Sequence, residues 1–138
     1  MYKRQKQANT SSTSQTLFNL KLLAYERIIL FIERIKPDSF IPRTLSPSLP
    51  YQEYQLLLIN EIRKEFEYNL SQQLYLSENA WEVTVNFKDN IITLINSAAT
   101  SCPPQATASD LARKILEHYI SSDLKGDQIS KIVKAEIQ

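Results

Sequence analysis

Ser77-Glu78-Asn79-Ala80-Trp81-Glu82-Val83-Thr84-Val85-Asn86-Phe87-Lys88-Asp89-Asn90-Ile91-Ile92-Thr93-Leu94-Ile95 can be read with either of two periods, and the fold turns on the choice. With period two, Trp81, Val83, Val85 and Phe87 alternate with Glu82, Thr84 and Asn86, and Lys88-Asp89-Asn90 would turn the strand into Ile91–Ile95. With helical spacing, Ala80, Phe87, Ile91, Leu94 and Ala98 share one face, and Ser77 followed by Glu78 is a helix start. A tight hairpin turn leans on glycine for positive φ, and none stands here. A two-stranded hairpin among helices would also leave its edges unpaired. The stretch Ser77 to Thr100 is therefore expected as a helix.

On both sides the helical reading continues. From Leu17 to Lys36 the polar positions recur by sevens (Asn19, Glu26, Glu33, with Arg27 and Arg34 beside them), and most residues between are Leu, Ile, Phe or Tyr. That is helical spacing with an apolar face wider than one stripe, so neighbours must cover most of it. Pro37 stops this helix, and four prolines between Pro37 and Pro50 predict an ordered, extended connector. Ser48 is the expected cap of a second helix, with Pro50 in its first turn, Leu58, Ile62 and Phe66 on one face, and an end near Leu70. Pro103 and Pro104 close the Ser77–Thr100 helix, and Ser109 with Asp110 opens the next, built on Leu111, Ile115 and Tyr119. Gly126 stands where a chain leaving that helix needs left-handed φ, and Asp127 caps a last helix with Ile129, Ile132, Val133 and Ile137 on its apolar side. Residues 1–16 are polar and aperiodic, so they read as a disordered basic tail. The expectation is an all-α fold: a single-domain bundle of about five helices over residues 17–138.

Composition removes several chemistries. The chain has 138 residues and a single glycine, against an average usage of about 7%. Phosphate-cradling loops need several glycines, because only glycine lets backbone N–H groups close around the anion. Structural zinc wants four Cys or His ligands, and Cys102 and His118 are the only ones. No cofactor or metal is expected. The longest apolar run, Ile28 to Ile32, is far too short to span a bilayer. Net charge is +1, but residues 1–36 carry +5 and residues 37–138 carry −4. Such a basic start suits an anionic partner or a place beside a membrane, and equally a solvated tail.

The candidate catalytic groups are weak. Cys102 has no basic neighbour within ten residues to lower its pKa, so a Cys102–His118 dyad lacks an activated nucleophile. Glu61, Glu65 and Glu67 lack the Glu-x-x-His pattern of bundle di-metal sites, since the residue three before His118 is Ile115. Nucleic-acid binding is disfavoured by a net-negative body; the cluster Lys3, Arg4 and Lys6 comes with one aromatic, Tyr2. Two features point to contacts instead. One is the broad apolar face of the first helix, with Leu22, Leu23, Ile29, Leu30 and Ile32 as candidate interaction residues. The other is the amide-rich stretch Asn69 to Ser77, in which Gln72 and Gln73 can bond free helix-end groups and Leu74, Tyr75 and Leu76 can anchor a peptide. A packed connector is the competing reading of that stretch.

Three segments together carry a resemblance: Ala24-Tyr25-Glu26-Arg27 with Phe31-Ile32-Glu33-Arg34-Ile35, then Arg63 to Tyr75, then Ala80-Trp81. From about Leu17 to the C-terminus the chain resembles an uncharacterised family of the Bacteroidota, small helical proteins that are often membrane-anchored. The resemblance implies no activity and no catalytic residue. It implies a transmembrane helix just upstream of Ala24-Tyr25-Glu26-Arg27, which this chain lacks. The chain is then either a cytoplasmic piece cut at the membrane edge, with Lys3, Arg4 and Lys6 as juxtamembrane positive-inside residues, or a natively soluble member. The expected function is a non-enzymatic interaction or scaffold module, cytoplasmic and held near a membrane, that buries the apolar face of its first helix against a protein partner or a second copy. The alternative is an electrostatic adaptor whose basic tail binds anionic lipid or nucleic acid.

Overall fold

The computed structural model describes residues 2–124 and 126–136, and side chains from residue 12 on. Six α-helices and one 3-10 segment follow each other: α1 (Tyr2–Ile35), α2 (Pro37–Thr44), α3 (Tyr51–Tyr68), the 3-10 segment Leu70–Tyr75, α4 (Glu78–Thr100), α5 (Ala108–Ser121) and α6 (Gly126–Ala135). Among the described residues there is no strand, only an isolated antiparallel bridge between Pro50 and Thr107. The count of about five helices is thus corrected by α2 and the 3-10 segment.

The ambiguous stretch is helix α4, and it lies at the centre, against α1, α3, α5 and α6. Ala80, Thr84, Phe87, Ile91, Leu94 and Ala98 are buried at steps of four and three, which is the helical period. Ser77 caps it by accepting from the Ala80 amide at 3.0 Å. Thr84 breaks the apolar pattern yet stays buried, because its hydroxyl donates to the Ala80 carbonyl within the same helix at 2.8 Å. A row of rings then joins three helices: Phe31 lies 5.9 Å from Phe66, Phe66 stacks on Trp81 at 5.4 Å, and the Lys88 ammonium sits 4.1 Å above Phe66.

Several expected boundaries move. Pro37 does end α1, but it also starts α2, so the connector from Pro37 to Pro50 is helical over half its length. Proline at a first helical position loses nothing, since that N–H has no partner inside the helix; burial of Phe40 and Ile41 then holds the turn in place. Ser48 does not cap α3. Pro50 takes that position with no side-chain cap, and α3 stops at Tyr68. The opening of α5 is set by Thr107, two residues earlier than expected, in a reciprocal capping box with Asp110. Backbone bonds fix that choice: the Tyr51 amide donates to Ala106 and the Ala108 amide to Leu49, tying the two connectors together. α1 is traced from Tyr2, yet the expectation of an N-terminal tail apart from the folded body holds. Residues 12–20 are exposed on every face, so this early part of the chain adds nothing to the core.

Gly126 does not have left-handed φ; no described residue does. It is instead the buried first residue of α6, which also moves Asp127 from cap to first turn. On α6, Val133 is buried and Ile129 half-buried, whereas Ile132 is exposed rather than on the apolar face. Ile137 lies outside the described residues.

Candidate interaction surface

Helix α1 presents two parallel stripes. Ala24, Ile28, Phe31 and Ile35 point into the core. One residue earlier each time, and so about 100° round the helix, Leu23, Arg27, Leu30 and Arg34 point to solvent. With Leu20 the exposed stripe runs at steps of three and four over Leu20, Leu23, Arg27, Leu30 and Arg34; the three leucines are 38%, 49% and 58% exposed. Leu17 and Phe18 are exposed just upstream. Beside this stripe α3 forms the other wall of a groove of about 520 Å³ lined by Arg27, Leu30, Arg34, Lys64, Glu65 and Tyr68, among others. Arg34 donates to Glu65 at 2.8 Å through Nη2, and Arg43 lies 3.8 Å from the same carboxylate.

The amide-rich stretch meets α1 from the other side. Leu22 shares a cavity of about 370 Å³ with Leu74, Tyr75 and Leu76, together with Phe18 and Tyr25. The two features expected separately from sequence are therefore neighbours. Their members divide, however. Ile32 is fully buried core, and Leu22, Ile29, Tyr75 and Leu76 are half-buried. Leu23, Leu30, Gln73 and Leu74 are exposed, Leu74 to 82%. Gln72 is buried and donates to the Ser71 hydroxyl at 3.3 Å, so it binds no helix end. The helix ends are served by Asn69, which donates to the Glu65 carbonyl, and by Ser77. Lys3, Arg4 and Lys6 stand on the first turns of α1; their side chains lie outside the described residues.

A polar clasp that the sequence did not signal holds α6 across α1. The Lys36 ammonium bonds Glu33 at 2.8 Å and Asp127 at 2.7 Å, and Ser130 donates to the other Glu33 oxygen at 2.8 Å. Burial works against the Lys36 charge, but hydrogen bonds to Asp127 and Glu33 outweigh it and hold its pKa well above the ordinary lysine range. The Lys36 hydrogen bond in turn holds Glu33 and Asp127 below the usual carboxylate range. Nearer the C-terminus Glu136 accepts from Asn79 at 2.7 Å, from the Ser77 hydroxyl and from the Tyr25 hydroxyl at 3.3 Å, which lower its pKa in that order.

Cys102 and His118 are not brought together. Cys102 is buried, with its thiol directed at the Ala98 carbonyl at 3.8 Å, and burial pushes its pKa up. His118 lines an open groove of about 770 Å³ between α4 and α5 with Ser97, Ser121 and Ser122, and no hydrogen bond joins it to them among the described residues. No cluster of three His, Cys, Asp or Glu residues suited to a metal ion occurs among the described residues, and no described helix is long and apolar enough to cross a membrane.

The fold and surface define an all-helical, single-domain protein whose first helix leaves a leucine stripe uncovered. The chain belongs to the family of unknown function DUF7935, which matches residues 1–138. No curated protein and no solved structure matches it.

Proposed function

We propose that the protein is a non-enzymatic interaction module that works through the solvent-facing stripe of α1. The observation that carries this reading is the run of exposed leucines, Leu20, Leu23 and Leu30 with Leu17 at its upstream edge, on a helix whose other face is already committed to the core. Scattered single leucines on a surface are ordinary, whereas four along one side of a single helix form a patch of the kind that marks a docking face. Leu23→Lys with Leu30→Lys should leave far-UV circular dichroism and Trp81 fluorescence unchanged, while abolishing whatever association sedimentation velocity or vesicle flotation records for the wild type. Association untouched by this pair would sink the proposal.

A second reading rests on charge. Residues 1–25 hold Lys3, Arg4, Lys6 and Lys21 and no acidic residue, which suits the anionic inner face of a membrane. The resemblance to membrane-anchored proteins of the Bacteroidota points the same way, to a cytoplasmic position beside a bilayer. Replacing Lys3, Arg4 and Lys6 by Ala should then weaken flotation with phosphatidylserine vesicles; unchanged flotation would end this alternative.

A further inference from the structure

We infer that the occupant of the α1 stripe is a second copy of this chain, paired antiparallel. This rests on the proposed function above and names its partner. Steps of three and four through Leu20, Leu23, Arg27, Leu30 and Arg34 average 3.5 residues, the period at which one helix covers another. The residues between them set the direction. A parallel, in-register pair would stack Arg27 on Arg27 and Arg34 on Arg34, like charges face to face. It would also bring the two basic N-termini together. An antiparallel pair with residue 25 on the twofold axis sets residue i against residue 50 minus i. Leu20 then faces the partner's Leu30, Leu23 faces the partner's Arg27, and Thr16 leaves room for the partner's Arg34. No arginine faces an arginine.

The charges near the axis are self-complementary. Glu26 and Arg27 are both exposed and have no charged partner among the described residues. In this register each Glu26 comes beside the partner's Arg27, less than one helical turn away along the axis. The Lys3-to-Lys6 clusters of the two copies meanwhile lie about 60 Å apart at 1.5 Å per residue, far beyond a Debye length of about 10 Å. A bilayer fits the stripe less well. Two arginines among the five stripe positions would carry guanidinium groups to the depth of the leucines, whereas a helix–helix seam lets their aliphatic stems pack and their heads reach outward.

Engineered cysteines test both the partner and the direction. In a Cys102→Ala background, Leu20→Cys combined with Leu30→Cys should give a disulfide-linked dimer on mild oxidation. Leu20→Cys alone and Leu30→Cys alone should give none, because ten residues of helix, about 15 Å, separate each from its own counterpart, and a disulfide needs Cα atoms within about 7 Å. Leu23→Lys should raise the concentration for half-dimerisation at least tenfold in sedimentation equilibrium, with circular dichroism unchanged. Crosslinking of the single variants would overturn the antiparallel pairing in favour of a parallel one. A dimer indifferent to Leu23→Lys would overturn the use of this face. A strict monomer that floats with phosphatidylserine vesicles, and stops floating when Leu23 and Leu30 become Lys, would overturn the second copy while leaving the interaction module standing.

Discussion

A methyl group added at Gly126 would press into the aliphatic stem of Lys36 and lie 3.2 Å from the Tyr119 hydroxyl. Lys36 cannot swing clear without leaving Glu33 and Asp127, to which its ammonium is bonded. Gly126→Ala should therefore cost about 1–3 kcal/mol, the usual range for overpacking, read as a lower urea midpoint in Trp81 fluorescence. Gly126→Asn should be worse still, whereas a left-handed turn would tolerate Asn well; equal stability of wild type and both variants would refute the close approach. The same clasp predicts a pH profile. Glu33, Asp127 and Glu136 have lowered pKa values, so their contribution is complete above the ordinary carboxylate range and fades as pH falls through the folded values. Lys36 is raised, so its contribution is complete below the ordinary lysine pKa of about 10.4 and fades as pH rises through its folded value. Melting temperature should be flat between those limits and fall at both ends, and the acid-side fall should shrink in a variant lacking Glu136. At this scale the sequence showed what is local, such as Ser77 as a cap. The duty of Gly126 was hidden, because the atom that requires glycine belongs to Lys36, ninety positions upstream.

Among the elements, α5 depends most openly on its first turn. Thr107→Ala removes the hydroxyl that accepts from the Asp110 amide at 3.4 Å, and loss of a capping side chain costs about 1 kcal/mol. A drop of a few degrees in melting temperature is expected, with the α4 cap at Ser77 unaffected; no drop would mean that the backbone ties at Leu49 and Ala106 fix the start of α5 unaided. Ser109-Asp110 looked the better start because its residue types are good, and nothing local reports that residues 106 and 108 are held from α3's side of the molecule. α4 was legible because Ala80, Phe87, Ile91, Leu94 and Ala98 keep helical phase over five turns, longer than any chance alternation of Trp81, Val83 and Val85. α2 was not, because proline density argues for extension while the burial of Phe40 and Ile41 that folds it is tertiary.

For the molecule as a whole, α6 is a small helix on an apolar floor of few residues, chiefly Val133 and the half-buried Ile129. Removing residues 126–138 should uncover the side of α1 that carries Tyr25 and Glu33 and convert a sharp thermal transition into a broad one at lower temperature, followed by circular dichroism. A transition of unchanged sharpness would show that α1 needs no cover from α6. The bundle itself could be read from periodicity; the uncovered stripe could not be told from the covered one, because Leu23 and Ala24, or Leu30 and Phe31, are equally apolar neighbours. Which stripe faces solvent is decided only by where α3 and α6 settle, and with it the surface a partner would meet.

The clasp also has a consequence in time. Tyr25 and Glu136 are 111 residues apart, Glu33 and Ser130 are 97, and Lys36 and Asp127 are 91. A ribosome delivers α1 before α6, so the inner stripe of α1 waits, while the helices between are made, for the one that closes over it. During that wait α1 is apolar on two faces instead of one. Nascent chains of this protein should therefore bind chaperones until α6 emerges, and the side chains that end that dependence are Asp127, Ser130 and Glu136.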